Sequence, residues 1–126
     1  MIISELEKRI NYSFKNSKIL QEALTHRSYL NENPRQGTSH NERLEFLGDA
    51  VLELAVTEDL YARFPQYEEG TLTSLRAALV NYQMLASIGR VIELEKFIRL
   101  SRGEAKDLGR AREVILANAM EALIGA

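Results

Sequence analysis

The chain has no cysteine and no tryptophan among its 126 residues. Without thiols it forms neither a disulfide framework nor a thiolate zinc site, and it has no sulfur nucleophile. Two histidines, His26 and His40, are too few for a histidine-rich metal centre. Two prolines, Pro34 and Pro65, both fall in stretches that read as loop. No apolar run reaches the length of a membrane span, and the N-terminus lacks the apolar core of a signal peptide. No membrane partner is expected, and a cytoplasmic location is the default. A basic excess is also missing: 16 Lys and Arg stand against 18 Asp and Glu, and the pI is about 5.7. A nucleic-acid partner would need a local basic patch or a further domain.

What is there is ordinary globular material, 45% hydrophobic and 27% charged, enough for one domain with a core. Strand-type alternation is weak and helical periodicity strong, so the expected fold is all-α. The pattern predicts a short helix over 2–10 with Ile3, Leu6 and Ile10 on one side. A second helix, capped by Ser17, runs through Ile19, Leu20, Ala23 and Leu24. The polar stretch 31–39 reads as a loop. A long central helix is capped by Ser39 or Asn41 and stops near Arg63, before Pro65. Thr71 or Thr73 caps the next helix, and Asn81 restarts it over 82–92. A second loop covers 101–109, and a last helix begins near Arg110.

The central stretch His40-Asn41-Glu42-Arg43-Leu44-Glu45-Phe46-Leu47-Gly48-Asp49-Ala50-Val51-Leu52 organises the rest. At about 100° per residue, Glu42, Glu45 and Asp49 form one stripe. Leu44, Leu47, Val51, Leu54 and Ala55 form an apolar face, expected to be the core face. Gly48 lies on the seam between them. A helical glycine costs about 1 kcal/mol relative to alanine, which implies that another element approaches closely there. A solvated polar face is the plain alternative for the stripe. Against it, the three acids are aligned, and Arg43, the base within the segment, points away from them. Oxygen ligands of this kind suit Mg²⁺ or Mn²⁺.

The last helix carries Asn118 and Glu121 on one face, among apolar and small neighbours. A glutamate there is costly to bury unpaired. Periodicity leaves two readings open. Either Glu121 pairs with an arginine such as Arg76 or Arg43, or it faces the stripe of the central helix and completes a cation site.

The run from Glu42 to Leu52 resembles the signature of the ribonuclease III endonuclease domain. Ala23-Leu24-Thr25-His26-Arg27-Ser28-Tyr29, the run from Glu69 to Arg76, and the run from Leu116 to Ala126 match the same family, in family order and over nearly the whole chain. The resemblance is to the bacterial long type. It implies an all-α endonuclease domain over 1–126 that forms a homodimer and hydrolyses double-stranded RNA with Mg²⁺, for which Mn²⁺ substitutes. The implied products carry 5′-phosphate and 3′-hydroxyl ends with short 3′ overhangs, in the processing of ribosomal and messenger RNA. By carry-over, Glu45, Asp49, Asn118 and Glu121 hold the metal, with Asp49 and Glu121 as the catalytic pair. Glu42 and Glu69 match positions near the substrate or in the valley of the dimer. Phe46 matches an aromatic that anchors the partner subunit, and its helical angle sets it off the apolar face. Many members carry aspartate where this chain has Asn118. Asparagine offers a carbonyl oxygen without a charge, which implies a weaker hold on the cation. The family's double-stranded-RNA-binding domain is not in this sequence, and the helical pattern running to Ala126 leads us to expect a chain trimmed at that end.

The residue types fit the implied chemistry. Hydrolysis of a phosphodiester needs an activated water and neutralised phosphate charge, and hard carboxylates hold the cation that serves both. No serine or threonine is arranged as a triad. His26 reads as a structural hydrogen-bonder and His40 as a loop or capping group. Arg35, Gln36, Arg102, Lys106, Arg110 and Arg112 are candidate RNA contacts, although each, taken singly, reads first as a solvated surface group. The rival is a non-catalytic RNA-binding or scaffolding member of the fold, supported by Asn118 and opposed by the four retained acids.

Overall fold

The computed structural model describes residues 2–126. In order, the helices are α1 (Ile2–Ile10), α2 (Ser17–Ala23), α3 (Arg27–Glu32), α4 (Glu42–Arg63), α5 (Glu69–Leu79), α6 (Tyr82–Val91), α7 (Arg102–Lys106) and α8 (Arg110–Gly125), with a 3₁₀ turn at Leu94–Lys96. No strand occurs among the described residues, and Thr25 and Arg99 form one isolated parallel bridge. The fold is all-α, as the periodicity predicts.

Helix α8 is the centre of the packing. It lies between α4 and α6 and buries Ile115, Leu116, Ala117, Ala119, Met120, Ala122 and Leu123. Leu6 of α1, Leu20 of α2 and Leu94 complete the fully buried core with Leu116. Nearly every direction around α8 is therefore apolar. The two polar residues beyond its first turn, Asn118 and Glu121, are only half-buried. The α4–α8 contact is close because both helices present glycine at it. A Cβ on Gly48 would overlap the Glu121 carbonyl oxygen, and one on Gly125 would overlap the Leu44 carbonyl oxygen. The close approach expected at Gly48 is thus made by α8.

The buried side of α4 differs from the expected core face. Leu44 and Gly48 are buried, as is Leu60 further along. Leu47, Val51 and Leu54, however, are exposed, Leu54 by 66%. The seam marked by Gly48 faces inward, and the apolar stripe beside it is left exposed by the described residues. Periodicity finds an apolar face but does not distinguish a core from a docking surface.

Several helix starts also shift, each for a local reason. Asn16, not Ser17, caps α2, its side chain accepting from Lys18 N at 3.1 Å. Helix α5 begins at Glu69, ahead of Thr71 and Thr73. Asn41 precedes α4 without capping it by side chain. Its buried amide instead donates to the Ala23 carbonyl at 3.1 Å and ties α4 to α2. Two short helices occupy stretches without a predicted helix: α3, which ends inside the expected 31–39 loop, and α7, within 101–109. Asn81 does open α6, accepting from Met84 N at 2.9 Å.

Candidate active site

The α4–α8 contact brings the two acidic elements together. Glu42, Glu45 and Asp49 from α4 and Asn118 and Glu121 from α8 line one cleft of about 660 Å³. Phe46 and Asn41 border it, and His26 and Arg27 close it from the start of α3. Arg27 is tied to Glu42, Nη2 to Oε2 at 2.7 Å.

Three carboxyls remain without a base among them. Burial raises the pKa of Glu121, and a hydrogen bond to Asp49 and the charges of Asp49 and Glu45 add to it, pushing it up to about 8. Glu45 is raised as well, by burial first and then by the charges of Glu42 and Asp49. Crowded acids in a half-buried cleft hold on to a proton when no cation is at hand. A hard divalent cation can replace that proton, with carboxylate oxygens and the Asn118 carbonyl as donors. Among the described residues no three His, Asp or Glu side chains are drawn in as a formed metal centre. The fit therefore rests on the chemistry of the donor set.

The salt-bridge reading of Glu121 does not hold. Arg76 donates to Thr57 Oγ1 at 3.0 Å and lies 3.7 Å from Glu53, while Arg43 borders a different groove with Leu44 and Leu47. Glu69 is not brought to the cleft. It opens α5 in a separate groove with Tyr61, Tyr67 and Arg76. Phe46 is 83% exposed at the rim.

The candidate RNA contacts divide. Arg35, Gln36 and Lys106 are exposed. Arg102 lies 3.8 Å from Glu32, and Arg110 stacks over Tyr82. Arg112 is not a surface group: its side chain is 12% exposed, and Nη2 donates to the carbonyls of Glu104 and Ala105 at 3.2 and 2.9 Å. It locks the end of α7 onto α8. His40 behaves as a local capping group, its Nδ1 accepting from Glu42 N at 3.4 Å.

From sequence His26 reads as a structural hydrogen-bonder and Arg27 has no assigned role, yet both line the cleft. The one local signal is the His-x-Ser spacing, which places Ser28 N within reach of the His26 ring and starts α3.

The described residues are all-helical, and two of their helices bring carboxylates into one cleft, a donor set that suits a hard cation. A family model described as Ribonuclease-III-like matches residues 16–126, and the chain belongs to the ribonuclease III family. It is 52% identical over 121 residues to ribonuclease 3 of Carboxydothermus hydrogenoformans, covering 96% of this chain and 52% of that protein. It is 44% identical over 122 residues to ribonuclease 3 of Listeria monocytogenes, covering 97% and 53%. The chain thus spans about half the length of the curated relatives it matches. Among solved structures, the nuclease domain of ribonuclease III from Campylobacter jejuni superposes with a TM-score of 0.87 at 44% identity, covering 98% of this chain and 82% of that one. That structure is described by its flexibility in a region involved in dimer formation.

Proposed function

We propose that this chain is the endonuclease domain of a double-strand-specific ribonuclease, acting as a homodimer with Mg²⁺. The observation that carries the reading is the trio Glu45, Asp49 and Glu121, with no base among them, where burial and then the neighbouring acids push Glu121 up to about 8. A protein with no use for a cation gains nothing by keeping like charges together. Glu45, Asp49, Glu121 and the Asn118 carbonyl would hold the ion, for which Mn²⁺ would substitute. When bound, Mg²⁺ lowers the pKa of a water and offsets charge on the phosphate.

The side chains do the rest. Asp49 and Glu121 fix the reacting edge of the cleft, and Asn118 supplies an oxygen without adding repulsion. Arg27 neutralises Glu42 at the mouth, where a phosphate backbone would enter. Attack of water oxygen on phosphorus breaks the bond to O3′, leaving a 5′-phosphate and a 3′-hydroxyl. The unpartnered stripe of Phe46, Leu47, Val51 and Leu54 supports docking of a second copy, and paired clefts would cut both strands to leave short 3′ overhangs. Glu69, away from this cleft, would then serve the valley between copies. No described helix is long and apolar enough to cross a membrane.

The test is cleavage of a long duplex RNA at low salt, with Mg²⁺ and separately with Mn²⁺, beside Glu121→Gln. Cleavage by the parent and none by the variant supports the reading. A folded dimer that cuts nothing with either ion, and binds neither in calorimetry, replaces it with a scaffolding role.

A further inference from the structure

We propose that His26 contacts the substrate, its neutral imidazole offering Nε2–H to a non-bridging oxygen of an RNA phosphate at the acidic cleft, with Ser28 as the positioning residue. This inference rests on the ribonuclease reading above and names a residue to which that reading gives no part.

The ring lines the same cleft as Glu45, Asp49 and Glu121. Its Nδ1 is already engaged. The backbone N–H of Ser28 donates to it at 3.2 Å, and the Ser28 hydroxyl lies 2.8 Å away. That hydroxyl accepts from the backbone N–H of Ser101 at 2.9 Å, which leaves its own proton free to point at Nδ1. A nitrogen that faces a backbone N–H is an acceptor. The single proton of the neutral ring therefore sits on Nε2. Nothing among the described residues takes that Nε2–H. Burial holds the pKa of the ring below its ordinary value, outweighing the pull of Glu104, so the ring is neutral at neutral pH.

The rest of the cleft offers a phosphate few donors held in place. Ionised carboxylates only accept. Arg27 is tied to Glu42, and the Asn41 amide is spent on Ala23. His26, Asn118 and Arg27, whose Nη2 is tied to Glu42, keep N–H groups for a ligand, and of the three His26 is held in orientation by a chain of hydrogen bonds. That chain runs through Ser101, the residue that caps α7 by accepting from Glu104 N at 3.1 Å.

Because the His26 ring also starts α3, a structural role and a substrate role must be separated. Two substitutions do this. In His26→Asn the short amide still accepts from Ser28 N and is a favoured cap, but it does not reach the place of Nε2. In His26→Gln the longer amide can present N–H where Nε2–H was, but caps poorly. On a short duplex RNA with Mg²⁺, His26→Asn is expected to melt like the parent and lose about tenfold to a hundredfold in kcat. His26→Gln is expected to melt lower and to keep kcat within about threefold of the parent, measured below its Tm. Independently of cleavage, ¹⁵N spectra of the imidazole at about pH 7.5 are expected to show the Nε2–H tautomer in the parent. In Ser28→Ala they are expected to show a mixture of tautomers. Parental kcat in His26→Asn overturns the proposal, as does a parental ring protonated at Nδ1. Unchanged nitrogen shifts in Ser28→Ala remove Ser28 from the positioning role. A parent that cuts no RNA overturns the ribonuclease reading and this inference together, whereas a cutting parent beside an equally active His26→Asn overturns this inference alone.

Discussion

Gly48 of α4 and Glu121 of α8 meet backbone to backbone, the Glu121 carbonyl oxygen filling the space into which a side chain at 48 would project. Asp49 follows Gly48 directly, so the same contact sets how near its carboxyl comes to that of Glu121. Helix spacing and acid spacing are one quantity here.

A methyl group at that point forces the helices apart. Gly48→Ala is expected to destabilise the fold by about 3 kcal/mol, the upper end for one methyl forced into a packed site. Urea denaturation measures it. Gly70→Ala is the control: it lies within α5 with nothing near its side-chain position. It is expected to stabilise by up to about 1 kcal/mol through helix propensity alone.

The raised pKa of Glu121 predicts a pH dependence with a definite sign. Its carboxyl titrates at about 8 in the metal-free fold against an ordinary 4.5, so folding takes up protons between these values. The contribution to stability is complete below pH 4.5 and is lost as the pH rises through about 8. Glu121→Gln flattens this limb, and its Tm should overtake that of the parent as the pH rises. Mg²⁺ must displace the same proton, so its apparent affinity should strengthen across the window. Calorimetry in two buffers of different ionisation heat would detect the released proton. A pH-independent affinity would remove Glu121 from the ligand set.

Asn118→Asp adds a fourth carboxyl to the cleft. Without metal it should lower stability by about 1 kcal/mol through repulsion. With Mg²⁺ it should bind about tenfold more tightly, as charge count tunes affinity in oxygen sites. Opposite signs in thermal melts with and without the ion are the expected signature. A variant less stable in both states would place Asn118 outside the ligand set.

Phe46 is 83% exposed and touches little of its own chain. Phe46→Ala should therefore leave the Tm of the isolated subunit within about 1 °C of its parental value, as surface changes usually do. If the ring anchors a second copy, the same change should shift sedimentation toward monomer by about tenfold or more in dissociation constant. Unchanged self-association would move the interface elsewhere.

The residues also show why some of this was readable and some was not. The acid stripe and Gly48 were legible because helical angle depends on spacing alone. The core face of α4 was not, because Leu47, Val51 and Leu54 repeat as core residues do while facing outward. Hydrophobic period carries no information about which partner covers a face. Helix α3 was hidden by its start: histidine is not a usual cap, and His26 caps through a ring nitrogen. Arg112 read as a surface base because its burial depends on the carbonyls of Glu104 and Ala105, a tertiary arrangement with no local mark. Glu121 was legible only as a choice between partners. The packing of α8 decided it by directing the carboxyl at Asp49.

One further consequence follows from the parallel bridge between Thr25 and Arg99. Arg99 N donates to the Leu24 carbonyl at 2.7 Å, His26 N donates to the Arg99 carbonyl at 3.0 Å, and the Arg99 guanidinium donates to Thr25 Oγ1 at 2.6 Å. The partners lie 74 residues apart. Helical proteins usually fold fast because their contacts are local, but this contact closes a long ring of chain, which carries a loop-closure cost. During synthesis from the N-terminus, the acid row of α4 is made early, while the turn bearing His26 waits for residue 99 and the cleft waits for Glu121. Until α8 has emerged, a nascent chain thus carries the α4 half of the acidic cleft without the half that Asn118 and Glu121 supply.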